Sequence, residues 1–183
     1  MELYVAKTLK NYKRSYTGVN FRDFKHMKVI FFDTGRNSGY AVHTPGDGWI
    51  IGEKNLPYDL GERYYEFEKL VKSNKWDLIA YEKVNRHLGT AAAHQYGAYE
   101  GIILKCAFEN GTEVIPIYVQ TIKKRTGHVG KPKEQMKEEC IKRYKHILPA
   151  DATTNMVDAF IGCIVALEKA GQKYDIGEDD VVS

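Results

Sequence analysis

Cysteine is scarce in this chain of 183 residues: Cys106, Cys140 and Cys163 are odd in number, widely spaced and free of any CxxC pair. That excludes a disulfide framework, gives no support to a zinc site, and fits a reducing compartment. Long apolar runs are missing as well. None approaches the roughly 20 residues that cross a bilayer, and the stretch MELYVAKTLKNYKRSY has no apolar core of signal-peptide type. The expectation is a soluble, cytoplasmic protein with no membrane partner. Internal repeats and low-complexity tracts are also absent, and the formal net charge is only +3.

The length suits one domain, and a domain of about 150 residues or more buries roughly 70% of its unfolded surface, enough for a proper core. The mild charge is unevenly spread. Residues 1–25 carry Lys7, Lys10, Lys13, Arg14, Arg22 and Lys25 against Glu2 and Asp23. Residues 120–145 carry Lys123, Lys124, Arg125, Lys131, Lys133, Lys137, Lys142, Arg143 and Lys145 against Glu134, Glu138 and Glu139. Two basic segments on a nearly neutral chain point to a polyanion partner.

The first 26 residues have weak periodicity and mix basic with aromatic side chains, which suits phosphate contact and stacking as well as it suits a tail. A boundary falls at Met27, where MKVIFFDT begins. KVIFF reads as a buried strand, SGYAVHT as its hairpin partner across a glycine-bearing turn, and GWIIGE as a third strand after Pro45-Gly46-Asp47-Gly48. Gly35 and Gly39 are read together as the turn that folds the second strand back. Residues 59–73 repeat apolar positions at helical spacing, and DLIAYE follows as a short strand ending in a carboxylate. A helix through residues 90–109, a strand EVIPIYV, a basic helix over 131–147 and a last helix from an Asp151 N-cap to about Lys169 complete the order β-β-β-α-β-α-β-α-α. Three antiparallel strands followed by helix-linked strands predict an α/β fold of RNase H-like type: a five-stranded mixed sheet, three strands antiparallel and two parallel, flanked by helices. Residues 1–26 are then an N-terminal extension, 27–172 the domain, and 173–183 an acidic tail.

In such a sheet the strands ending at Asp33 and Glu82 are neighbours, so their carboxylates meet. Two like charges about 4 Å apart repel by roughly 1 kcal/mol in water and about 4 kcal/mol at an effective dielectric of 20, and a divalent cation is the usual remedy. The third carboxylate is Asp158, near the start of a helix that is apolar on most faces, with Asn155 one turn earlier on the same side. Alone, each has an ordinary reading: Asp33 a turn residue, Glu82 a strand flank, Asp158 a lysine partner. Together they form a set suited to a hard cation such as magnesium. Two such ions can activate a water and stabilise the leaving oxygen of a phosphodiester displacement.

VIFFDTGRNSGYAV, LIAYEKV, QYGAYEGII, QTIKKRTGHVGKPKEQM and NMVDAFIGCIVAL occur in the order, and near the spacing, of RuvC-like Holliday junction resolvases, and over residues 27–170 the chain resembles that family. Its compactness looks like members carried by bacteriophages or other large DNA viruses. The resemblance implies a structure-selective endonuclease of DNA recombination and repair that cuts four-way junctions, and other branched DNA, as a homodimer. It implies two Mg2+ ions per site, with Mn2+ able to substitute. Asp33, Glu82 and Asp158 match the family's metal-binding carboxylates. Lys133, in KPKEQM, matches a lysine that contacts the scissile phosphate or neutralises charge, and Lys123 falls in the position preceding it. Gly97 and Gly101 match small residues of the long helix that joins the family's dimers.

Two departures stand out. Asn155 occupies a place usually held by an acid or a histidine; its amide oxygen is still able to ligate magnesium, without charge. Asn85, Arg86 and His87 follow the glutamate where bacterial members carry an aromatic that enters the junction. DNA contacts are accordingly expected from Lys123, Lys124, Arg125, Lys131, Lys133, Asn85, Arg86 and His87. The alternatives are an RNase H or flap nuclease on the same fold, or a module that holds junctions without cutting.

Overall fold

The computed structural model describes residues 27–84, 89–126 and 132–171. Five strands are formed: β1 (Val29–Asp33), β2 (Asn37–Thr44), β3 (Gly48–Asn55), β4 (Leu78–Lys83) and β5 (Glu113–Tyr118). The helices among the described residues are α1 (Leu60–Val71), α2 (Thr90–Asn110), α3 (Val119–Thr126), α4 (Lys133–Arg143) and α5 (Thr154–Lys169). The sheet order is β3-β2-β1-β4-β5, with β1 antiparallel to β2, β2 antiparallel to β3, and β1-β4 and β4-β5 parallel. This is the mixed sheet expected from the sequence, with β1 at its centre.

Strands β1, β2, β4 and β5 feed two cores by alternation. Val29, Phe31, Ala41, Leu78 and Ala80 pack against α3, α4 and α5 through Ile122, Met136, Phe160, Ile161 and Ile164. Ile30, Phe32, Val42, Ile79 and Tyr81 face α1 and α2 through Phe67, Val71, Tyr99 and Ile103. Helix α5 is buried continuously from Val157 to Leu167. Two glycines let it lie close to the sheet. A Cβ on Gly162 would stand 2.3 Å from the Phe31 ring, and one on Gly39 would stand 2.1 Å from the Asn155 carbonyl oxygen.

Three sequence expectations change. Gly39 is not a turn residue: it lies in β2 opposite Asp33, and its missing side chain accommodates the start of α5. The turn from β1 to β2 is held instead by Ser38, whose hydroxyl donates to the Gly35 carbonyl at 2.7 Å. Asp151 is not the N-cap of α5. Thr153 takes that position, its Oγ1 accepting from the Met156 amide at 3.2 Å, because only a side chain directly before the first turn reaches those amides. Finally, α3 follows β5 directly as a separate short helix, and the basic helix shrinks to Lys133–Arg143.

Candidate active site

A single row crosses the sheet at the C-terminal end of β1. Asp33 pairs with Gly39, and Gly39 with Glu53. On the other side Glu82 follows Tyr81, which pairs with Phe32, and Glu82 itself pairs with Ile117. Pairing partners share a face, so Glu53, Asp33 and Glu82 all point to the layer that holds α5. Asp158 reaches the row from above, one turn after Asn155, and is 7% exposed.

Asp33, Glu82 and Asp158 therefore lie close enough to act on one another's charge, and each carboxyl is held above its ordinary range. Burial is the largest cause holding the Asp33 carboxyl well above its ordinary range, followed by repulsion from Glu82 and Asp158. Asp33 as a residue keeps some surface, but its carboxyl is the desolvated part. A hydrogen bond joins Asp33 and Glu82; it raises the former and lowers the latter. Glu82 is raised by burial, against that bond and the nearby lysines. Asp158 is raised by burial, against Lys133 and Lys123.

Lys133, at the start of α4, brings its Nζ to 3.6 Å from Asp158 Oδ2. Desolvation pulls the Lys133 ammonium down, but attraction from Asp158, Asp33 and Glu82 outweighs it and the group titrates above its usual value. Glu82, Lys123, Lys133, Met136 and Asp158 line one cleft together with Val119 and Ile122. On the other side of Glu82 a second cleft opens between β4 and α2, bordered by Thr34, Lys83, Tyr96 and Glu100. Lys83 adds no free charge there, because Glu100 accepts from its Nζ at 2.5 and 2.6 Å.

A desolvated set of carboxylates that repel one another fits a hard divalent cation, since oxygen ligands and uncompensated negative charge are what Mg2+ selects. A different acidic group, Glu68, Cys106 and Glu109, has its ligand atoms within 4.8 Å of one another. It lies on the opposite face and is already neutralised. Lys72 bridges Glu68 at 2.6 Å and Glu109 at 3.1 Å, Lys105 approaches Glu68 at 2.9 Å, and burial holds the Cys106 thiol protonated.

The other expected residues divide. Lys123 borders the first cleft, whereas Lys124 and Arg125, further round α3, border a separate groove beside Glu168 and Lys169, and Arg125 Nε donates to Glu168 at 2.8 Å. Asn155 stands beside the row, with its amide nitrogen 3.0 Å from Glu53 Oε2 and 3.1 Å from the Asn37 carbonyl. Asn85, Arg86, His87 and Lys131 lie outside the described residues. Two neighbours of the site escape sequence reasoning. Tyr96 on α2 is close enough to Glu82 and Asp33 that, after burial, their charges raise its hydroxyl. Glu53 was readable only through hairpin register: the turn pairs Thr44 with Gly48, which sets Glu53 opposite Gly39.

No protein-family model matches the chain, and no curated protein matches it in sequence. Solved structures do. RuvC of Thermus thermophilus, in complex with Holliday junction substrate, superposes with a TM-score of 0.58 at 17% identity, covering 80% of this chain and 98% of that one. The yeast mitochondrial Holliday junction resolvase Ydc2 gives 0.57 at 13% identity, covering 83% and 85%. The fowlpox virus resolvase, in complex with Holliday junction DNA, gives 0.53 at 11%, covering 78% and 98%. The central antiparallel strands, the parallel crossovers and the helix laid over the acidic row place this chain in the RNase H-like class of folds. Within that class it has the RuvC-like resolvase fold.

Proposed function

We propose that this chain is a divalent-metal-dependent endonuclease that cuts four-way DNA junctions. The observation that carries the reading is the convergence of Asp33, Glu82 and Asp158, with Lys133 beside them, on a fold shared with junction resolvases. Asp33, Glu82 and Asp158 would hold the metal, and Mg2+ is the ion their oxygen ligands suit best, with Mn2+ as substitute. There it would supply activation of the attacking water and stabilisation of the leaving oxygen.

The chain's own groups do the rest. Lys133, held by Asp158, presents an ammonium at the cleft wall, where it neutralises charge that grows on the scissile phosphate. Lys123 lines the same cleft and guides the flanking backbone. Burial of the carboxyls excludes bulk water, which strengthens every interaction at the site. Branch recognition is chiefly of shape and phosphate backbone. A homodimer supplies two such sites to a substrate with two-fold character, and among the described residues a Cβ added at Gly97 or Gly101 on α2 would meet nothing within 4 Å.

An end-labelled four-way junction incubated with the protein and Mg2+ tests this reading. Paired nicks near the branch, no cut of the linear duplex, and weaker cleavage of flap and RNA-DNA hybrid substrates are expected. Cleavage of the hybrid or flap in preference to the junction assigns the chain to another activity of the fold. Tight junction binding with no cleavage in any divalent metal makes it a binding module.

A further inference from the structure

Resting on the reading of Asp33, Glu82 and Asp158 as a metal site, we propose that Glu53 is a positioning residue for that site and that Asn155 serves Glu53 rather than the metal. Glu53 Oε2 accepts from Thr153 Oγ1 at 2.6 Å and from Asn155 Nδ2 at 3.0 Å. One carboxylate on β3 thus fixes both the N-cap of α5 and the second residue of its first turn. Asp158 lies three residues further along the same helix. Its place over the row depends on where that first turn sits, and the Asn155 backbone rests directly on Gly39, the residue between Glu53 and Asp33.

The orientation of the Asn155 side chain follows from chemistry. Its two neighbours, the Glu53 carboxylate and the Asn37 carbonyl, are both acceptors, so the NH2 end of the amide must face them. An acid at this position would place two carboxylates at a 3.0 Å separation with no proton between them. The amide is thus the complement of Glu53. The site then relies on three carboxylates, and the helix start is locked laterally to the sheet instead of contributing a fourth.

The test is a mutant cycle of Asn155→Asp, Glu53→Gln and the double variant, with Glu53→Ala alongside. Two readouts are taken at a temperature well below melting: Mn2+ binding to DNA-free protein by calorimetry, and junction cleavage against Mg2+ concentration. Asn155→Asp and Glu53→Ala are each expected to weaken metal binding or cleavage by roughly tenfold or more, the usual cost of losing a group that orients a ligand. The double variant, which reverses donor and acceptor across the 53–155 contact but leaves the Asn37 carbonyl without its donor, is expected to recover part of the Asn155→Asp loss.

Tighter Mn2+ binding or faster cleavage in Asn155→Asp would make residue 155 a ligand position and overturn the proposal. Glu53→Ala that melts lower yet binds metal and cleaves like the wild type would reduce Glu53 to a structural contact, and also overturn it. A wild-type protein that binds Mn2+ but leaves junctions intact counts against the proposed function alone, and the calorimetric arm still decides Glu53. A wild-type protein that binds no metal overturns both.

Discussion

At the scale of single residues, three carboxyls titrate above their ordinary range, with burial the first cause in each. In the unfolded chain the same groups ionise at lower pH. Between the two values the unfolded state binds fewer protons, so the stability they contribute is full below the ordinary carboxylate range and is lost as pH rises through the raised values. Metal-free protein is therefore expected to melt progressively lower as pH rises above about 4, and Mg2+ to recover more of the melting temperature at the upper end. Asp33→Asn removes the most crowded charge. Its metal-free melting temperature at neutral pH should rise by roughly 2–4 °C, what about 1 kcal/mol produces in a chain of this size, while cleavage is lost. A lower melting temperature in calorimetry would mean that Asp33 is a satisfied structural group. These residues were legible in the sequence because each sits at an element boundary and has an awkward chemistry there. Glu53 was not, because a glutamate at the end of a half-exposed hairpin strand looks like any solvated charge until its partners, a hundred residues onward, are known.

At the scale of elements, the decisive contact is α5 on the sheet. The apolar residues of NMVDAFIGCIVAL announce a buried helix, and the short apolar runs in KVIFF and DLIAYE announce buried strands, so the element order was readable. Two features were not. The α3 turn carries three basic residues in its last turn, and the sequence around it reads as part of a longer basic segment. The role of Gly39 depends on which helix lies above it, a tertiary fact that turn chemistry cannot supply. Gly39→Ala forces its new Cβ against the backbone of Asn155, which cannot rotate away, whereas Gly162→Ala meets the side-chain ring of Phe31. Both should destabilise by about 1–3 kcal/mol. A second substitution, Phe31→Leu, should relieve Gly162→Ala and leave Gly39→Ala unchanged in denaturant melts. Equal rescue of both would show that α5 moves as a rigid body away from the sheet. Because Gly39 underlies the helix start, its variant should also lose cleavage out of proportion to its stability.

At the scale of the whole molecule, the sheet brings one acidic row to the middle of a chain whose basic residues are concentrated in two segments. Lys123 and Lys133 tie the second of these to the row. An acidic row flanked by Lys123 and Lys133, once it held a divalent cation, would attract a polyanion. Junction binding should weaken with salt at a log-log slope of about −0.9 per phosphate neutralised; six contacts cost on the order of a thousandfold in affinity between 50 and 200 mM salt. A flat response in a fluorescence titration would exclude a protein that reads the DNA backbone. The fold was legible in the sequence because β-β-β-α-β-α-β admits few topologies, whereas charge pointed no further than a polyanion and the four-way junction came from the family resemblance. The most direct test of the central claim compares junction binding and junction cleavage by the wild type and by Asp158→Asn in the same Mg2+ buffer. Both proteins are expected to bind the junction, and only the wild type to nick it. Cleavage by Asp158→Asn at the wild-type rate would contradict that claim.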